Sequence, residues 1–131
     1  STGLAVGTTY YYRVRAYTST GLVSLSSNVI SVTTSVNPDP PVAVAASSVL
    51  TTSFVANWIA SPGATSYKID VSTDINFGSF IFGFNDKWTP DYAISIPVTL
   101  LTSGTTYYYR VRAYKTGVTS ANSDIITVTT V

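Results

Sequence analysis

The residues best suited to touch a ligand lie between positions 77 and 92. Phe77, Phe80, Phe82, Phe84, Trp88 and Tyr92 supply flat apolar faces of the kind that stack on sugar rings or anchor protein interfaces. Asn85, Asp86 and Lys87 stand beside Trp88 with groups that can hydrogen-bond to hydroxyls. Trp88, Asn85, Asp86 and Tyr92 are therefore the ligand-binding candidates, with a polysaccharide as the partner. The competing reading is structural: Phe80, Phe82 and Phe84 line an edge strand and pack on the core, and Trp88 covers one end of it.

Other chemistries find fewer residues. The 131-residue chain has no His and no Cys, and its six acidic residues are all Asp, so imidazole bases, thiolate nucleophiles and the usual zinc ligands are absent. Ser, Lys and Asp occur without the spacing of a catalytic motif, and the chain is read as not an enzyme. Asp70 with Asp74, and Asp86 with Asp91, offer oxygens to calcium, but such a site needs several more ligands, so no metal and no cofactor is assigned. Arg110 and Arg112 alternate with tyrosines, as do Arg13 and Arg15. Two arginines and a net charge of +1 are too little for a nucleic-acid platform. These arginines are expected to be solvated, their guanidinium groups lying over neighbouring tyrosines.

The elements that must position these side chains are strands. The chain holds 39 Ser and Thr and 17 aromatic residues, a strand composition. Residues 7–17 and 104–114 both read GTTYYYRVRAY, eleven identities in eleven. The likeness continues after a one-residue shift, where Gly21, Ser24, Ser27, Ile30, Val32, Thr33 and Thr34 match Gly117, Ser120, Ser123, Ile126, Val128, Thr129 and Thr130, and it reaches back to Leu4 against Leu101. A period of about 96 residues is the size of a whole β-domain, and only its last third occurs twice. Three prolines in Asn37-Pro38-Asp39-Pro40-Pro41 mark a semi-rigid linker. The domains are accordingly residues 1–36, the last two strands of a preceding truncated repeat; 37–41, the linker; and 42–131, a complete repeat.

Within that repeat, period-two patterning predicts seven strands: 42–48, 53–60, one through Tyr67, Ile69 and Val71, one through Phe80, Phe82 and Phe84, then 93–98, 106–115 and 123–130. This is an all-β, seven-stranded antiparallel Greek-key sandwich preceded by a β-hairpin fragment. Trp58, Tyr67, Ile69, Val71, Leu101, Tyr107, Tyr109 and Val111 are its expected core, with Tyr108, Arg110, Arg112 and Tyr114 facing out.

Trp58, the Tyr67-x-Ile69-x-Val71 alternation and the run from Leu101 through Gly104, Thr105, Tyr107, Tyr109, Arg110 and Val111 to Ala113 resemble the immunoglobulin-like fibronectin type III module over nearly all of residues 41–131. The stretches DVSTDINFGSF, GFND and TSANSDIITVTT are similar to the subtype of large secreted and cell-surface proteins of Bacteroidetes-type bacteria. The resemblance implies that Trp58 packs at the centre of the sandwich. It also implies that the Tyr107 hydroxyl bonds back to nearby backbone as a tyrosine corner, and that parents include polysaccharide-degrading enzymes and adhesins. Many members carry Pro where this chain has Ser103.

The expected function is a non-catalytic spacer and interaction module of a secreted or cell-surface bacterial protein, with neighbouring domains of the parent chain as partners. The alternative is a carbohydrate-binding module using the aromatics around Trp88. The chain opens at Ser1 without Met and has no apolar run near the ~18 residues needed to span a bilayer, so it is expected to be a piece of a longer protein that does not insert into a membrane. A lone hairpin is marginal in water, and residues 1–36 would expose Tyr10, Tyr12, Val14, Val29, Ile30 and Val32. A homo-oligomer formed through this hairpin by strand exchange is therefore expected.

Overall fold

The computed structural model describes residues 3–131, and these contain ten strands. They are β1 (Thr9–Tyr12), β2 (Ile30–Thr33), β3 (Val42–Ser47), β4 (Phe54–Ile59), β5 (Ser66–Ser72), β6 (Lys87–Trp88), β7 (Ser95–Val98), β8 (Thr106–Lys115), β9 (Val118–Thr119) and β10 (Ile126–Thr129). The chain divides into two compact units, Ser1–Val36 and Asn37–Val131. The first is the antiparallel pair β1-β2; the second holds the sheets β3-β4-β7 and β10-β8-β5-β6, with β9 a short hairpin partner of β8.

Alternation explains the core. On β8 one face carries Thr106, Tyr108, Arg110, Arg112 and Tyr114, while the other carries Tyr107, Tyr109, Val111 and Ala113, all four buried. The buried face meets Tyr67, Ile69 and Val71 of β5 and, from the other sheet, Phe54, Ala56 and Trp58 of β4 with Ile96 and Val98 of β7. Phe54 stacks on Tyr109 at 5.9 Å, and Trp58 packs on Tyr67 at 5.5 Å. The two tyrosines bolt the sheets together through their hydroxyls. Tyr67 accepts from the Ser61 amide at 3.0 Å, and Tyr109 donates to the Val44 carbonyl on β3. Burial pushes the Tyr109 phenol up, against the partial relief of the Asn57 amide. Tyr107 accepts from the Thr102 amide at 2.9 Å, five residues back, closing the corner that starts β8.

The last strand is regular only from Ile126. Before it the chain advances in threes. Ser120 and Ser123 each donate their amide to β8, to Ala113 and Val111, and accept the amides of those same residues on their hydroxyls, all at 2.8–2.9 Å. Thr130 does the same with Thr105. A hydroxyl thus stands where a strand would offer its carbonyl, and each serine hydroxyl passes its own proton to the next carbonyl. A three-residue repeat is that of an extended polyproline-type path. This is why the seventh expected strand begins at 126 instead of 123.

The edges are protected. β7 is an edge strand bonded to β4, with the Trp58 amide donating to Ile94, and Pro97 pairs with Val55 in the phase that turns its missing N–H outward. The fourth expected strand, through Phe80, Phe82 and Phe84, is not a strand. That stretch is a loop with a turn, and the pairing falls to Lys87 and Trp88 opposite Ile69 and Lys68.

Two substitutions measure these arrangements. Trp58→Ala removes a buried indole from between the sheets and lowers unfolding free energy by about 3–5 kcal/mol in a denaturant titration. Ser123→Ala strands the buried Val111 amide and costs about 1–3 kcal/mol, whereas Thr127→Ala, on the exposed face of β10, stays within about 0.5 kcal/mol.

Candidate functional site

The outer face of the β10-β8-β5-β6 sheet is where polar chemistry collects. Asp70, at the middle of β5, is only 2% exposed. Its register partner on β8 is Arg110, with Arg112 two residues on. One carboxylate oxygen accepts from Arg110 Nε at 2.9 Å and Arg112 Nη1 at 2.8 Å. The other accepts from Arg112 Nη2 at 3.0 Å and the Asp86 amide at 2.7 Å. Arg112 also reaches Asp86 at 2.6 Å and Asn122 at 2.7 Å, and Lys68 closes on Asp86 at 2.8 Å. Burial opposes ionisation of Asp70, but the bonds from Arg112, the Asp86 amide and Arg110 outweigh it and hold its carboxyl below the usual range. Asp86 is lowered in the same way, its partial burial outweighed by Lys68 and Arg112.

The expectation of solvated arginines over tyrosines is therefore corrected. Arg110 and Arg112 are bound to a buried carboxylate, and the ring over which Arg110 lies, at 4.1 Å, is Phe77. Phe77 arrives there because the chain between β5 and β6 folds back over the sheet. Asp74 caps the turn, accepting the amides of Asn76 at 2.9 Å and Gly78 at 3.0 Å, and those two bonds hold its carboxyl below the usual range. A Cβ on Gly78 would stand 2.9 Å from the Asp74 carboxylate, so a larger residue there makes the capping side chain shift. Phe77 and Asp86, the residues that touch the arginines from this segment, both have positive φ, 56° and 52°.

The aromatic stretch thus divides. Phe77 is buried on the outer face, Phe84 packs into the core, Phe80 is part-exposed against Phe77 at 6.4 Å, and Phe82 is 97% exposed. Trp88 is half exposed on β6, with its edge on Tyr114 at 4.8 Å and the Lys68 ammonium over its ring at 4.6 Å. Trp88 also lines an open groove of about 600 Å³ with Phe84, Pro90, Ile96 and Pro97, between β6 and β7. Asn85 and Tyr92 are exposed but do not line that groove, and the oxygens of Asp86 are engaged by Lys68 and Arg112. The four ligand-binding candidates are therefore not gathered into one cradle. Asp70 and Asp86 are likewise committed to arginine and lysine, and the described residues hold no group of three or more potential metal ligands. Sequence reasoning missed the Asp70 cluster, because Asp70 alternates with Lys68 and Ser72 on a strand face that reads as solvated, and no sequence signal shows that residues 73–86 return to bury it.

A group whose carboxyl is depressed in the folded state adds stability that is complete above its unfolded value near ~3.9 and is lost as the pH falls through the folded value. The melting temperature of the protein is therefore flat from about pH 5 to 8 and drops below about pH 4, with Asp70 and Asp86 acting in the same direction. Asp70→Asn costs about 3 kcal/mol at pH 7, because Arg110 loses its counter-ion and Arg112 is left with Asp86, and its acid-side drop is shallower than that of the parent in a pH series of thermal melts.

No family model matches the chain. It is 33% identical over 135 residues to Exoglucanase B of Cellulomonas fimi, an alignment that takes in 98% of this chain and 12% of that protein's length. Among solved structures it is similar to a segment of two fibronectin type III domains from chicken tenascin, with a TM-score of 0.65 at 18% identity, covering 98% of this chain and 68% of the segment. It is also similar to a β-1,2-glucanase from Parabacteroides distasonis, with a TM-score of 0.53 at 21% identity, covering 71% of this chain and 12% of that one. With its three-stranded and five-stranded sheets, its central Trp58 and its Tyr107 corner, the unit Asn37–Val131 has the fibronectin type III fold.

Proposed function

We propose that the chain is a non-catalytic spacer and interaction module of a larger secreted or cell-surface bacterial protein, of the polysaccharide-degrading kind, and that its partners are the neighbouring domains of that protein. Residues 1–36 are then the last two strands of a preceding module and residues 37–41 the linker. The carrying observation is that the likeness to Exoglucanase B runs across 98% of this chain yet occupies 12% of the enzyme, the proportion of a part. The site chemistry supports the same reading. Asp70, Asp86, Arg110, Arg112 and Lys68 pair with one another in the sheet, which leaves the most concentrated charge of the unit engaged in holding structure.

A carbohydrate-binding module remains the second reading, favoured by the groove beside Trp88. It has less support, since the ammonium of Lys68 covers one region of the indole where a sugar would stack. The two readings separate in affinity electrophoresis on a panel of polysaccharides. The spacer reading expects no retardation; retardation that disappears in Trp88→Ala replaces it with sugar binding. A self-standing module also makes a claim on stability. Residues 37–131 prepared alone are expected to melt within a few degrees of the corresponding transition in the full chain, and a fall of more than about 10 °C would show that the unit depends on residues 1–36.

A further inference from the structure

Residues 1–36 repeat the end of the complete unit in geometry as well as in sequence. Thr9–Tyr12 pairs with Ile30–Thr33 in the register of Thr106–Tyr109 with Ile126–Thr129. Ser24 and Ser27 bond Ala16 and Val14 through amide and hydroxyl as Ser120 and Ser123 bond Ala113 and Val111, and Tyr10 takes the Ala5 amide as Tyr107 takes that of Thr102. The hairpin has the same ladder and the same corner, but its apolar face has no cover. Tyr12 is 54% exposed where its counterpart Tyr109 is 0%, Val14 62% where Val111 is 0%, and Val32 49% where Val128 is 7%.

We infer that the apolar face and free edge of the β1-β2 hairpin are a docking surface for an extended segment patterned like residues 42–98, the first five strands of a repeat. The inference rests on the reading of residues 1–36 as the end of a preceding module, and names what that end requires. Three features of the complete unit specify the occupant. β8 is paired on both sides, with β10 and β5, whereas among the described residues β1 is paired only with β2, so a strand in the place of β5 has a vacant ladder to fill. Tyr109 and Tyr107 lie on Phe54, so the occupant brings an aromatic at that position. Arg13 and Arg15 correspond to Arg110 and Arg112, yet no described carboxylate lies in salt-bridge range of them, and Arg15 reaches only Ser26. An acidic residue in the place of Asp70 completes them, which makes the docking charge-complementary as well as apolar.

A second copy of this chain fits less well by its energetics. To cover the hairpin with its own first five strands it must expel its residues 104–131, which carry the same eleven-residue face. The swap exposes as much as it buries.

The test adds a polypeptide of residues 37–103 to the full chain and follows amide hydrogen exchange at Tyr11 and Arg13, whose N–H groups alternate with the β2-facing amides and so point to the free edge. Exchange there is expected to slow by about tenfold or more, and to stay fast in Val14→Asp, an exposed position whose substitution leaves the hairpin itself intact. The same segment fused ahead of Gly3 makes the encounter intramolecular and decides the case in which the free fragment does not stay in solution. Unchanged exchange in the fused chain overturns the inference. So does a dimer of the unmodified chain in light scattering in which the Tyr11 and Arg13 amides are already protected. Exchange at Tyr109 and Val111 is slow in every form if the reading of the complete unit holds; fast exchange there would undo that reading, and slow exchange with no gain in the hairpin would undo only the docking.

Discussion

A carboxylate that cannot stay charged alone organises the outer half of this domain. Asp70 is buried in the middle of a strand, where an unpaired ion costs several kcal/mol. Both arginines of β8 turn to it, the Asp86 amide closes on it from above, and Phe77 covers the guanidinium of Arg110. The path of residues 73–86 over the sheet, with positive φ at Phe77 and Asp86, follows from the need to reach that charge. The two-residue strand β6 begins where this path ends, which places Trp88 beside Lys68 and leaves it half exposed. What first reads as an aromatic ligand stretch is in large part the cover of an ion cluster.

The inner half was legible because burial there is one-dimensional. Strands β4, β5 and β8 alternate with period two, and Trp58, Tyr67, Ile69, Val71, Leu101, Tyr107, Tyr109 and Val111 are all buried. β8 spans the residues that the pattern marks out, Thr106 to Lys115. The outer face was not legible, because alternation says only which residues leave the core. It does not say that a loop returns to cover them, and Phe80, Phe82 and Phe84 imitate a strand while lying in a turn-rich loop. The period-three path before Ile126 was hidden for a related reason. Ser120 and Ser123 look like solvated serines of a polar strand end until their hydroxyls are found in the ladder.

The duplication provides an internal comparison that few single chains offer. The same eleven residues occur once in a closed sandwich and once in an open hairpin, and the local hydrogen bonds hardly differ. The ladder, the corner and the hydroxyl bonds are thus properties of the segment itself. Burial of the tyrosines and pairing of the arginines are properties of its surroundings. The candidate binding residues follow the same division, since Asp86 is consumed by the fold around it while Tyr92 and Asn85 are left to solvent.

The hydroxyl ladder also has a mechanical meaning. A force drawn on Val131 and directed along the chain reaches Thr130 first, then the regular pairs of β10, then Ser123 and Ser120. Ser123 and Ser120 each hold by a pair of bonds to one residue of β8, Thr130 holds by a pair to Thr105 just ahead of it, and between the two serines the chain is free for two residues. Peeling would therefore proceed in steps with a pause at each station, and water, itself a hydroxyl of the same strength, can take over each broken bond. A strand built this way yields and re-zips in increments, with every hydroxyl serving as a marker of register on the way back.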